Sequence, residues 1–275
     1  MQLSFSTLGC PDWDLDTLAA RGREYGFDGV DFRGIGDQMD VTVLPAFTTG
    51  VEATRQLLAD SGLQVSCISS GISVCEAERF DDNLAEAART IPVARALGCG
   101  RVRVFGNEGL QPRSRLELAD IGRDCLAAIL ALDGAGDLEW MLETHDLWTR
   151  GADCRLLLDR VPERQFGILW DMGHTTRVGG ETPAQTWEAV DGRVFYTHVK
   201  DAVHEPGHER AMNDGWRYVP PGTGQLPLAD ALELLRERGY DGWLMFEHEK
   251  RWHRELEEPE VIFPEFVRWV RALLR

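Results

Sequence analysis

Short apolar runs along the chain end abruptly at polar or acidic residues, and after each run the apolar positions recur at helical spacing. The pattern predicts strands over residues 3–8, 29–32, 63–69, 101–105, 138–142, 166–170, 194–197 and 243–246. Helices are predicted over 14–25, 51–60, 81–97, 115–132, 153–159, 183–190, 226–238 and 260–274. The helix over 81–97 crosses Pro92, where a break or kink is expected because proline has no amide to donate. Residues 201–225, which carry His204, His208, Trp216, Tyr218, prolines and Gly222-Thr223-Gly224, read as a long loop. Strand then helix, repeated eight times without a linker, implies a parallel sheet. In a chain of 275 residues it implies one closed (β/α)8 TIM barrel over 1–275. An open doubly wound sheet would show a glycine-rich fingerprint after its first strand, and Leu8-Gly9-Cys10-Pro11 is not one.

Four of the predicted strands share a further feature. The runs ending at Leu142, Trp170, Thr197 and Phe246 exit into Glu143-Thr144-His145-Asp146, Asp171-Met172-Gly173-His174, His198-Val199-Lys200-Asp201 and Glu247-His248-Glu249-Lys250. Glu143, Asp171 and His198 are separated by 28 and 27 residues, close to one βα unit of roughly 30. Glu247 follows 49 residues after His198 because the 201–225 segment intervenes. A lone acid at a strand exit reads equally well as a helix N-cap or a solvated rim residue. Three carboxylates converging at one rim repel, and a divalent cation resolves the repulsion. Glu143, Asp171, His198 and Glu247 are therefore the expected metal ligands. Their oxygen-rich set suits Mn2+ first, with Mg2+, Co2+ or Zn2+ as alternatives. His174, three residues past Asp171, is expected to contact substrate. His145 and Lys200 each follow a ligand by two residues and so share its side of the strand. Either can touch substrate or orient a carboxylate.

Composition narrows the partners. The formal net charge is −17, against a phosphate-backbone partner and in favour of a small-molecule substrate. No run is long enough for a membrane helix and no secretion signal opens the chain. The six cysteines include no C-x-x-C pair and read as reduced, small hydrophobic residues of a cytoplasmic protein. Arg33, Arg103, Arg177 and Arg217 are unranked candidates for substrate or phosphate contact, with Arg217 in the long loop carried forward as a substrate contact. The C-terminal Trp252, Phe263, Phe266 and Trp269 read as packing against the barrel exterior, with a homo-oligomer face as the alternative.

At Phe27-Asp28-Gly29-Val30-Asp31, Glu143-Thr144-His145, Trp170-Asp171-Met172-Gly173-His174, His198-Val199-Lys200-Asp201 and Gly239-Tyr240-Asp241-Gly242-Trp243, the chain resembles the sugar phosphate isomerase/epimerase superfamily, the xylose-isomerase-like barrels. The resemblance covers nearly the whole chain. It implies one divalent metal on Glu143, Asp171, His198 and Glu247, with Glu143 and Glu247 doubling as the acid and base on opposite faces of a bound ketose. The chain departs from the pattern at Gly222-Thr223-Gly224, where many relatives carry an acid between the glycines.

The expected chemistry is isomerisation or epimerisation of a sugar or polyol ketone through a cis-enediolate, one glutamate removing a proton and the other returning it. The 201–225 segment is expected to act as a lid. The same site supports a lyase or dehydratase acting on a keto-sugar, keto-inositol or 3-keto-glycoside. Phosphodiester cleavage, as in barrel-shaped abasic-site endonucleases, would want a His-rich multi-zinc cluster and a basic face. A non-catalytic binding subunit is the remaining alternative.

Overall fold

The run Phe166–Asp171 forms a strand, β6, whose every residue is buried, and the rest of the barrel is assembled around such strands. A computed structural model describes residues 1–107, 113–190 and 192–274. The barrel strands are β1 (Gln2–Ser6), β2 (Gly29–Phe32), β3 (Gln64–Ser73), β4 (Arg101–Phe105), β5 (Glu139–Glu143), β6, β7 (Val194–Val199) and β10 (Trp243–Phe246). All pair in parallel, and they close in the order β1-β10-β7-β6-β5-β4-β3-β2. The described helices are α1 (Leu15–Tyr25), α2 (Val51–Ser61), α3 (Phe80–Ala96), α4 (Arg115–Leu130), α5 (Gly151–Leu158), α6 (Met172–Arg177), α7 (Pro183–Ala189), α8 (Leu228–Glu237) and α9 (Pro259–Leu273). The expected TIM barrel is the fold observed.

Two apolar assemblies hold it. The larger lies between strands and helices, where Phe5, Phe27, Phe246, Phe263 and Phe266 pack ring against ring. Phe263 and Phe266 are wholly buried there, so the barrel core absorbs them, while Trp252 is 56% exposed. The smaller fills the barrel lumen with Cys67, Met141, Leu169, Tyr196, Trp243 and Met245. Barrels of this size are packed with layers of side chains rather than hollow. The Tyr196 hydroxyl is satisfied by Ser4 Oγ at 2.9 Å and Ser66 Oγ at 2.7 Å. All six cysteines are buried and unpaired, as small core residues.

Two expectations change. Helix α3 runs through Pro92 without ending, its buried face continuing from Ile91 to Val93 and Ala94. The 201–225 segment is not a plain loop. Asp201–His204 (β8) and Trp216–Val219 (β9) pair antiparallel, with Asp201 opposite Val219 and His204 opposite Trp216. The Asp201 carboxylate anchors this hairpin by accepting hydrogen bonds from Ala202 N, Gly222 N and Gly224 N at 2.8, 2.8 and 2.9 Å. Gly222 adopts a φ of +84°, and a Cβ at Gly224 would overlap that carboxylate. The Gly222-Thr223-Gly224 turn is thus closed by an acid from the neighbouring strand. Gly224→Ala is expected to cost about 1–3 kcal/mol through overpacking. Limited proteolysis of the hairpin tip, compared with the parent chain, checks this; equal cleavage rates count against the anchor.

Candidate active site and metal centre

Each expected ligand sits two residues beyond a side chain of the lumen layer. Met141 precedes Glu143, Leu169 precedes Asp171, Tyr196 precedes His198 and Met245 precedes Glu247. Side chains on a strand alternate faces, so those four must also point into the lumen, one layer higher. Asp171 and His198 are direct register partners on β6 and β7. The four donor atoms lie within 4.8 Å of one another and all four residues are buried. His198 Nδ1 lies 3.3 Å from Glu143 Oε1, 3.7 Å from Asp171 Oδ2 and 3.2 Å from Glu247 Oε1.

The arrangement fits a divalent cation. Asp171 Oδ2 and both His198 ring nitrogens are buried without a well-angled hydrogen bond. Three carboxylates and one imidazole, all buried and convergent, form a donor set for a hard or borderline metal ion. Burial pushes the Glu143 carboxyl up, but His198 and Arg103 outweigh it and hold it well below the usual carboxylate range. Glu247 follows the same balance, with burial overcome by His198 and Lys200. Burial likewise opposes charge on His198, and Glu247 and Glu143 reverse the effect.

Each glutamate presents one oxygen to the shared point and the other to a separate cation. Glu143 Oε2 lies 3.3 Å from Arg103 Nε, and Glu247 Oε2 lies 2.5 Å from Lys200 Nζ. Lys200 also reaches Asp171 Oδ2 at 2.9 Å and Glu249 Oε1 at 3.1 Å. Its stem crosses Gly173, where a Cβ would approach Lys200 Cγ to 2.8 Å. Asp171 has two tasks: Oδ1 caps α6 by accepting from His174 N at 2.7 Å, while Oδ2 faces the quartet.

His174 lies at the lip, with Nδ1 3.1 Å from the Thr144 carbonyl and Nε2 3.0 Å from Lys200 Nζ. Burial, then Lys200, pushes its pKa down to about 4 despite Asp171, so the ring is neutral near pH 7. A neutral ring satisfies both neighbours in one tautomer, with Nδ1–H donating to Thr144 and Nε2 accepting from Lys200. His145 packs edge-on against His174 at 4.8 Å and beside Phe105 at 5.0 Å, its Nδ1 2.8 Å from Asp146 Oδ2. Arg217 is not brought to the quartet, because it pairs with Glu205 across the hairpin at 2.7 Å. Tyr218 is the hairpin residue that reaches the mouth, its ring 5.8 Å from Lys200 Nζ and 5.3 Å from the Arg177 guanidinium.

Arg103, one of the candidate anion contacts, lies beside Glu143, and Asp31 and Glu249 also belong to the site, although the sequence patterns did not single those two out as site residues. Asp31 is fully buried with both oxygens unbonded, and its Oδ2 lies 4.0 Å from His198 Nε2, the ring nitrogen turned away from the quartet. Burial raises its pKa to about 6. Its signal was position: it is the last residue but one of β2, in register with Ser6 and with Cys67 of the lumen layer.

Comparison with known proteins bears on this geometry. The profile of the Xylose isomerase-like TIM barrel family matches residues 19–273. A Streptomyces coelicolor protein named "Putative hydroxypyruvate isomerase" is 30% identical over 225 residues, 72% of this chain and 74% of its own length. An inosose dehydratase of Lacticaseibacillus casei is 27% identical over 132 residues, 43% of each chain. The solved structure of 3-keto-D-glucoside 4-epimerase from E. coli matches in fold with a TM-score of 0.76 at 18% identity, covering 99% of both chains.

Proposed function

Since the chain belongs to the xylose isomerase-like TIM barrel family, we propose that it is a divalent-metal-dependent isomerase or epimerase of a sugar or polyol ketone, working by proton transfer between substrate carbon and Glu143 or Glu247. The carrying observation is that these two buried carboxylates converge on one point from separate strands, each steadied by its own cation. Glu143, Asp171, His198 and Glu247 would hold the ion, Mn2+ first among the candidates. A bound divalent ion supplies positive charge that polarises a carbonyl and acidifies the neighbouring C–H.

The chain's own residues do the rest. Both glutamates are held ionised and can accept a proton. One takes the C–H proton, the carbon–carbon double bond of a cis-enediolate forms, and the carbonyl electrons move to oxygen. The other returns a proton, to the opposite face in epimerisation or to the adjacent carbon in aldose–ketose isomerisation. His174 and Lys200 line the lip where substrate hydroxyls would sit, with His145 behind them, and the Tyr218 side of the hairpin narrows access for water. Metal-loaded protein incubated with a panel of ketoses in D2O should place deuterium at the carbon next to the carbonyl, read by NMR. No incorporation with any of them would sink the reading.

One observation favours elimination as the second reading. Lys200 is a buried ammonium touching Glu247 and His174. It is placed to give a proton to a departing β-hydroxyl once the enediolate has formed. Loss of water, detected as an enone absorbance, separates the two. Asp31 supports either chemistry by facing the far nitrogen of His198, as carboxylates behind metal-binding imidazoles do. Asp31→Asn is expected to weaken Mn2+ affinity about 10- to 100-fold in a calorimetric titration. An unchanged affinity would remove Asp31 from the site.

A further inference from the structure

Two guanidinium groups share the β2–β4 side of the mouth. Arg103, inside β4 and 3% exposed, lies flat on Phe105 with its Cζ 3.7 Å from the ring centroid. Arg33, the first residue after β2, places its Cζ 6.0 Å from the same ring. Like charges gathered on one ring need an anion between or beside them. Of the two arginines Glu143 pairs with Arg103, at Nε, its other oxygen facing His198, and among the described residues no carboxylate lies within ion-pair distance of Arg33. Among the described residues, the one side-chain hydrogen bond of Arg33 goes from Nη1 to the Met39 carbonyl at 3.3 Å. Arg103 Nε meets Glu143 only as an ion pair, and Nη1 is buried with no hydrogen-bond partner. Buried donors left unmade are costly, and guanidinium donors unmade next to a second guanidinium are more so.

The acid that acts most on Arg33, Glu86, makes no ion pair with it and accepts from Gly71 N, and the acids around the quartet are engaged elsewhere. Asp171, Glu247 and Glu249 all face Lys200, and Asp31 faces His198. The unmatched charge therefore lies at one end of the mouth. A strip of rings, Phe105, His145 and His174, runs from the arginines to Lys200 at the other. A ligand lying along that strip with its reacting carbons over the quartet would present its far end to Arg33 and Arg103.

We propose that the substrate carries a carboxylate or phosphoryl group, and that Arg33 and Arg103 bind it. This rests on the keto-sugar reading above and narrows the substrate to an acidic ketone. Arg33 is the specificity-determining residue, since Arg103 is also tied to Glu143. The acidic chain then takes an acidic substrate through one local basic pocket.

The test titrates acetate and inorganic phosphate into the Mn2+-loaded chain, the Arg33→Met variant and the Arg33→Lys variant. Replacing Arg33 by Met should weaken anion binding about 10- to 100-fold, the loss of a charge-assisted hydrogen bond, whereas Lys keeps most of it. The tighter of the two anions identifies the group as carboxylate or phosphoryl. Equal affinity in the parent and Arg33→Met places the anion elsewhere and overturns the proposal, as does no binding at all. Kinetics supply the second arm: kcat/KM for an acidic ketose relative to its neutral counterpart should fall in Arg33→Met. Arg33-dependent anion binding with no exchange on any ketone would leave the anion site standing and sink the reaction. Exchange on neutral ketoses with Arg33-independent anion binding would do the reverse.

Discussion

Glu143→Gln and Glu247→Gln should each lower exchange of the substrate proton with solvent by about 10²- to 10⁴-fold, the range a positioned acid or base supplies. Glutamine keeps the size and one carbonyl oxygen of each side chain but cannot take up a proton at its working oxygen. Because Glu143 Oε1 and Glu247 Oε1 also face the point where the proposed ion would sit, weaker metal binding would add to the loss. Repeating the assay at rising Mn2+ separates the two causes. A loss of proton transfer survives saturation, whereas a loss of metal is repaired by it. If either variant at saturating metal exchanges at the parent rate, that residue is a ligand only, and the two-carboxylate mechanism fails.

Replacing Lys200 by Met should have the largest effect on stability. Lys200 is 2% exposed and neutralises Asp171, Glu247 and Glu249 at 2.9, 2.5 and 3.1 Å. Burial disfavours its charge, yet Asp171 and Glu247 push its pKa well above the usual lysine value. The ammonium is thus held by the acids it neutralises. Removing one partner of a buried ion pair costs about 3–5 kcal/mol, because the other charges stay buried and unmatched. For a chain of this size that is a drop in Tm of roughly 10 °C in metal-free buffer. Two further measurements tie the effect to charge rather than to a hole. Glu249→Gln in the same chain should recover part of the loss by removing one acid. Divalent metal should recover more, since on the proposed reading it would bind only the folded quartet. A metal-free Lys200→Met protein melting within about 2 °C of the parent, less than a 1 kcal/mol change gives, would show that Lys200 is not the counter-charge of the site.

The barrel was legible because a parallel strand buried on both faces reads as a near-continuous apolar run, and the stretches of β5, β6, β7 and β10 before their polar exits read that way. The quartet was legible for the same reason: a charged residue that follows a buried run stands at the run's exit, and near-equal spacing puts successive exits on one rim. The hairpin was not legible. Trp216-Arg217-Tyr218-Val219 has strand composition, but its partner is Asp201–His204, and the intervening histidines, prolines and glycines carry no sign of that pairing. Of the break or kink expected at Pro92, the break did not occur: α3 continues through it, with its buried face running on both sides.

The periodicity of the chain determined the fold class, the order of strands and helices, and four donors at one end of the barrel. Tertiary structure decided how those donors divide their second oxygens between Arg103 and Lys200, that Arg217 is spent on Glu205, and that Arg33 and Arg103 meet at one ring. Alternation along a strand is local and is written in consecutive residues. Which charges lie opposite one another depends on barrel closure and strand stagger, and these bring together residues that the sequence keeps far apart.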